Sequence, residues 1–98
     1  MDQSIAIKCL ASISHEGRLD LIRRLIKAGP VGLSSGDLAA AANINASTAS
    51  AQLLVLSNSG LVSSSRCGKQ VIYRADYDRF QQLISFLMED CCAGVGDD

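Results

Sequence analysis

Three features of the 98-residue chain predict a mainly α domain carrying one β-hairpin. Apolar residues make up 48% of it and aromatic residues only 4%, so its core is aliphatic, a mix that favours helices over a sandwich or barrel. Apolar positions recur at helical spacing along most of the sequence. One run, Val71-Ile72-Tyr73, departs from that pattern; it is rich in β-formers and follows the turn signal Cys67-Gly68. The length fits one domain, 1–92, with 93–98 as a flexible tail. No stretch reaches the roughly 18 apolar residues of a membrane span. The opening "MDQSIAIKCLASI" lacks a basic leader. A cytoplasmic protein without a membrane partner is expected.

The elements follow in order. Ile5, Cys9 and Ile13 stand at i, i+4 and i+8, one stripe of a first helix. Ser14 is placed to cap a second helix, "SHEGRLDLIRRLIKAGP", with acids near its start and bases near its end. Leu19, Ile22, Leu25 and Ile26 form its inner face, and Gly29-Pro30 stops it. Ser34 or Ser35 caps a short alanine-rich helix reaching about Ala42. Asn43 suits the left-handed residue that ends a helix, Ile44 anchors the turn, and Asn45 caps the next helix. That fourth helix buries Ala49, Leu53 and Leu56 and stops at Asn58-Ser59-Gly60. Two helices joined by so short a turn form a helix-turn-helix. "LVSSSRCGKQVIYRA" then reads as a two-stranded hairpin, a wing. Asp76 or Asp78 caps a last helix that runs on into Cys91-Cys92, with Phe80, Leu83, Ile84, Leu87 and Cys91 on one face. The expected fold is a winged helix-turn-helix of five helices and a two-stranded wing. The apolar stripes on its first and last helices are suited to a homodimer interface.

Charge supports a nucleic-acid reading despite a net charge of −1. Residues 38–75 contain no acid, only Arg66, Lys69 and Arg74, whereas 76–98 carry six acids against Arg79. If the fourth helix enters a major groove of double-stranded DNA, Ser47, Thr48, Ser50 and Gln52 lie at its reading end. Gln52 is suited to adenine, and the hydroxyls reach bases or phosphates. Arg66, Lys69 and Gln70 at the wing tip would hold backbone or the minor groove. With so few bases, one domain binds weakly, and a dimer on two half-sites is expected.

The four cysteines, Cys9, Cys67, Cys91 and Cys92, show no CxxC spacing, and His15 is the one histidine. A zinc ladder is therefore not expected. A nucleophilic enzyme is not expected either: Cys91 and Cys92 follow Glu89 and Asp90 at a helix C-terminus, where charge and dipole disfavour the thiolate. Adjacent thiols are nevertheless soft ligands within chelating distance of one thiophilic ion. Burial of Cys91 as core filling is the competing reading.

From "CLASISHEGRLDLIRRL" through "LAAAANINASTASAQLLVLSNSGLV" to "SSRCGKQVIYR" the chain resembles the ArsR/SmtB family of bacterial winged-helix repressors. The closing "FLMEDCCAG" is similar to an arsenic-responsive branch with a cysteine pair near the end of the last helix. The resemblance implies a homodimer, packed through its first and last helices, that represses its operon until an inducer binds. It implies no resident cofactor, and trivalent arsenic or antimony as the inducer. Cys91 and Cys92 supply two ligands, and Cys9, from either subunit, is the candidate third. Cys67 is a spectator. Four features depart from the family: "LSSGDLAAA" lacks the cysteines that many members carry there, the histidine-rich zinc site is absent, Ala51 and Gln52 replace the basic or histidine residues common on the recognition helix, which leaves the operator sequence open, and "AGVGDD" supplies no further cysteine. Two alternatives remain open on the sequence: a redox or sulfide-responsive repressor linking Cys9 to a terminal cysteine, and a thiol carrier of metalloid that does not bind DNA.

Overall fold

The computed structural model describes residues 1–94, so of the expected flexible tail 93–98, residues 95–98 lie outside the described residues. The chain runs α1 (Gln3–Ile13), α2 (Glu16–Ala28), a 3-10 turn (Gly29–Val31), β1 (Leu33–Ser34), α3 (Ser35–Ala42), α4 (Ala46–Asn58), β2 (Val62–Cys67), β3 (Gln70–Ala75) and α5 (Tyr77–Met88). This is the winged helix-turn-helix: among the described residues there are five helices and the two-stranded wing, β2 and β3, and a short third strand, β1, joins the same sheet. β3 is central: Val62 to Cys67 pair antiparallel with Ala75 to Gln70 on one side, and Leu33-Ser34 pair with Tyr73-Ile72 on the other.

Helix starts are set by side chains that accept a free backbone N–H of the first turn. Asp2 does this for α1, Ser34 for α3, Asn45 for α4 and Asp76 for α5. The α2 cap is His15 rather than the expected Ser14. Its Nδ1 accepts from the Gly17 N–H at 3.1 Å and the Arg18 N–H at 3.4 Å. An unprotonated ring nitrogen can do what a hydroxyl does at that position.

The core is a leucine cluster, with Leu21, Leu25, Leu38, Leu53, Leu56, Leu61 and Cys9 fully enclosed. Two helices are turned relative to the expected faces. α1 buries Ala6, Cys9 and Ser12, and Ile5 is exposed, so only Cys9 and the half-buried Ile13 of the expected stripe face inward. α2 buries Leu21, Ile22 and Leu25 and leaves Leu19 and Ile26 outside. Small residues on the inner side of α1 let it pack closely on α2, α4 and α5.

α5 ends at Met88, not at the cysteine pair. Glu89 turns extended, with φ −55° and ψ 135°, and Asp90 takes a left-handed φ of 58°. Two carboxylates at a helix C-terminus oppose the helix dipole, so continuing the helix through them is unfavourable. Leu83 is buried and Phe80 packs on the core, but Ile84, Leu87 and Cys91 of the expected inner face are exposed.

At two glycines the backbone itself demands the residue. Gly32 has φ 74°, and a β-carbon there would run into the Tyr73 carbonyl oxygen of β3. Gly60, after α4, has φ 82° and lies beneath the Arg79 guanidinium, whose Nε would be 3.0 Å from an added β-carbon. Both positions combine a left-handed backbone with a neighbour that already fills the space.

Candidate nucleic-acid interface

The helix-turn-helix is assembled by local hydrogen bonds around Asn43, Ile44 and Asn45. Asn43 is left-handed at φ 55°, ψ 47°, and closes α3 by donating its N–H to the carbonyls of Ala39 and Ala40. Asn45 then accepts the Thr48 N–H and the Ser47 hydroxyl on Oδ1, both at 2.8 Å. These bonds fix how α4 leaves the turn. The buried Ala49, Leu53 and Leu56 fix its roll.

That roll puts Ser47, Thr48 and Ser50 in solvent near the N-terminus of α4, as the sequence predicts. The Ser47 hydroxyl proton is committed to Asn45, so toward a ligand Ser47 offers lone pairs; the Ser50 hydroxyl makes no hydrogen bond among the described residues and can donate or accept. The first turn of α4 carries no acid to offset the positive end of its dipole.

Gln52 differs from its neighbours. It is half-buried, and its Oε1 accepts a hydrogen bond from Arg18 Nη1 at 2.8 Å. The same guanidinium donates Nε–H to the Ser12 carbonyl at the end of α1. Gln52 is therefore held by α2 and α1 rather than projecting freely. Arg18 lies 34 residues away in sequence, and no spacing rule links the two.

After α4 the wing extends as β2 and β3. Its two-residue loop, Gly68-Lys69, has φ 66° at Gly68, the positive angle that a glycine-first hairpin loop requires. Arg66, Lys69 and Gln70 are all exposed at this tip. Arg74 is bound lower down: its Nε donates to the Pro30 carbonyl at 3.0 Å and its Nη1 to Ser65 Oγ at 2.8 Å. It clamps the wing to the 3-10 turn.

The cysteines occupy three separate settings. Cys67 is exposed on the wing. Cys9 is enclosed, and its thiol donates to the Ser59 carbonyl at 3.4 Å. Burial pushes the Cys9 thiol pKa above its ordinary value; the positive charges of Arg79 and Lys8 oppose that shift without cancelling it. Cys91 and Cys92 are exposed beyond α5 in a turn closed by the Cys91 N–H on the Met88 carbonyl and the Ala93 N–H on the Asp90 carbonyl, each 3.0 Å. Cys92 is left-handed at φ 67°, and the two sulfurs lie 3.4 Å apart. One chain does not bring Cys9 to this pair: among the described residues no three His, Cys, Asp or Glu side chains are grouped to hold a metal ion.

The family model for bacterial regulatory proteins of the arsR family matches residues 15–64, which run from the α2 cap into the wing. A biofilm growth-associated repressor of Agrobacterium fabrum is 36% identical over 84 residues, 86% of this chain and 69% of that protein. Among solved structures, the transcriptional repressor BigR from Xylella fastidiosa is 31% identical with a TM-score of 0.66, covering 87% of this chain and 85% of that one. A possible transcriptional regulator for arsenical resistance is 27% identical with a TM-score of 0.71, covering 93% and 96%.

Proposed function

Because this chain belongs to the arsR family of bacterial regulatory proteins, we propose that it is a homodimeric transcriptional repressor released from operator DNA by trivalent arsenic or antimony on the Cys91 and Cys92 thiolates. The DNA-binding part rests on the exposed, acid-free N-terminal turn of α4 and on the exposed basic residues at the wing tip. As a member of that family the chain is a regulator, not an enzyme.

The inducer assignment rests on one observation: two exposed thiols with their sulfurs 3.4 Å apart. Two thiolates bound to one ion at about 2.3 Å, the length of a zinc–thiolate bond, are at most about 4.6 Å apart, so both sulfurs reach a single centre. Soft donors of this kind prefer thiophilic ions over hard ones. The similarity to a possible regulator for arsenical resistance points to the same ligand class. Because Cys9 is enclosed and bonded to Ser59, the third donor comes from the solution or from a second subunit unless α1 opens.

The pair follows α5 directly, and both α1 and α5 carry exposed apolar side chains, Ile7 and Leu10 on one and Ile84, Leu87 and Met88 on the other. A second copy seated there would place the thiols beside the dimer contact. A ligand at that position changes DNA affinity to the extent that it binds the two dimer arrangements unequally.

The test is fluorescence anisotropy of the reduced protein on the DNA upstream of its own gene, titrated with arsenite. Wild type should bind and be released, whereas Cys91→Ser and Cys92→Ser should bind equally well and stay bound. Release of both variants by arsenite would exclude the pair as the site. Release of wild type by oxidant but not by arsenite would identify the thiols as a redox switch.

A further inference from the structure

Hydrogen bonds hold α4 to the last turn of α1 at two places. Near the middle of α4, Gln52 Oε1 accepts from Arg18, whose Nε donates to the Ser12 carbonyl. At the end of α4, Ser12 Oγ bonds to Ser59 Oγ at 2.9 Å and to the Cys9 carbonyl at 2.7 Å. Ser59 in turn donates to the Leu56 carbonyl at 2.9 Å, and the Cys9 thiol donates to the Ser59 carbonyl. Ser12 and Ser59 are both buried, and among the described residues no buried side-chain nitrogen or oxygen lacks a partner. Their hydroxyls sit in an apolar core, where a hydrogen bond has few competitors and a broken one is costly.

From this network we infer that Gln52 is a positioning residue for the DNA-facing helix, acting through Arg18 and Ser12, and not a reader of bases. The inference rests on the DNA-binding reading above. Bidentate recognition of adenine by glutamine needs its amide oxygen as well as its nitrogen. Here the oxygen already accepts from a charged donor, among the stronger protein hydrogen bonds, which ties the amide to Arg18 and leaves that oxygen a single lone pair. The guanidinium has donors on both sides of its fork, one set on α1 and one on α4, so it fixes the distance between the two helices. Base contacts are left to Ser47, Thr48 and Ser50, nearer the helix N-terminus, whose side chains are exposed. Movement of α1 would reach α4 through the same network.

The experiment first selects a preferred duplex with wild-type protein from a random-sequence library. Affinity, base preference and salt dependence are then measured for Arg18→Met, Gln52→Met and the double variant. Each single change should weaken binding about tenfold, roughly what loss of one charge-assisted hydrogen bond costs. The double variant should be no weaker than the weaker single, because both changes cut one contact. The preferred sequence should be unchanged, and so should the salt slope. Gln52→Met with relaxed preference at a single base pair would overturn the inference. So would a slope reduced by about 0.9 in Arg18→Met, the signature of a lost phosphate contact. Unchanged affinity in both singles would overturn it as well. Should Arg18→Met prove unfolded by circular dichroism, Gln52→Met decides the matter alone by its base preference. Wild type that selects no duplex would defeat the DNA-binding reading itself, a result separable from all of these.

Discussion

At the scale of single residues, the cysteines divide by solvent access. Cys67, Cys91 and Cys92 are exposed and Cys9 is enclosed. A colorimetric thiol reagent should therefore titrate three sulfhydryls rapidly in the native protein and the fourth only in denaturant. Cys9 also gives stability a pH dependence. Its folded-state pKa is raised, so below the unfolded thiol pKa of about 8.5 both states hold the proton and stability is full. Above that point the unfolded chain releases a proton that the folded chain keeps. Stability then falls by up to about 1.4 kcal/mol per pH unit until the folded pKa is reached. Urea denaturation of wild type and Cys9→Ala at pH 7.5 and 9.5 (about one unit either side of that pKa) should show the extra alkaline loss in wild type alone.

At the scale of elements, the wing offers a direct reading of its role. Arg66 and Lys69 are exposed at its tip, while Arg74 is engaged by Pro30 and Ser65. Arg66→Ala and Lys69→Ala should each weaken operator binding across all sequences and lower the salt slope by about 0.9. Arg74→Ala should act through wing order and leave the slope nearly unchanged; anisotropy titrations at several salt concentrations separate the two effects. Much of this layout was legible in the sequence because caps and turns are local. Ser34, Asn43, Asn45 and Asp76 each act on residues within four positions. The phase of α1 was not legible. The apolar series Ile5, Cys9, Ile13 and the buried series Ala6, Cys9, Ser12 share Cys9 and nearly the same period. Packing of α1 against α2 and α4 chose the smaller residues. β1 escaped for a similar reason: two residues become a strand only because β3 is there to pair with them. Of the candidate site, the exposed hydroxyls of α4 and the wing tip could be read directly. The capture of Gln52 by Arg18 could not, since it depends on how three helices meet.

At the scale of the whole molecule, α1 and α5 leave Ile7, Leu10, Ile84, Leu87 and Met88 in solvent, with exposures of 38 to 59%. A second copy of the chain would cover them. Leu87→Glu should yield a folded monomer by sedimentation velocity, with a wild-type circular dichroism spectrum. Its operator affinity should fall roughly hundredfold, because the second half-site is no longer delivered by the first. Wild-type sedimentation in that variant would move the interface elsewhere.

Ser34 belongs to two elements at once. Its backbone pairs with Ile72 in the sheet, and its hydroxyl accepts the Asp37 N–H that starts α3. Strand and helix therefore cannot fray separately at this point. In native-state hydrogen exchange the Asp37 amide and the amides joining β1 to β3 should lose protection together, with one opening free energy and one response to denaturant. The wing and the helix-turn-helix would then open and close as a single cooperative unit, and a disturbance of either is felt by both.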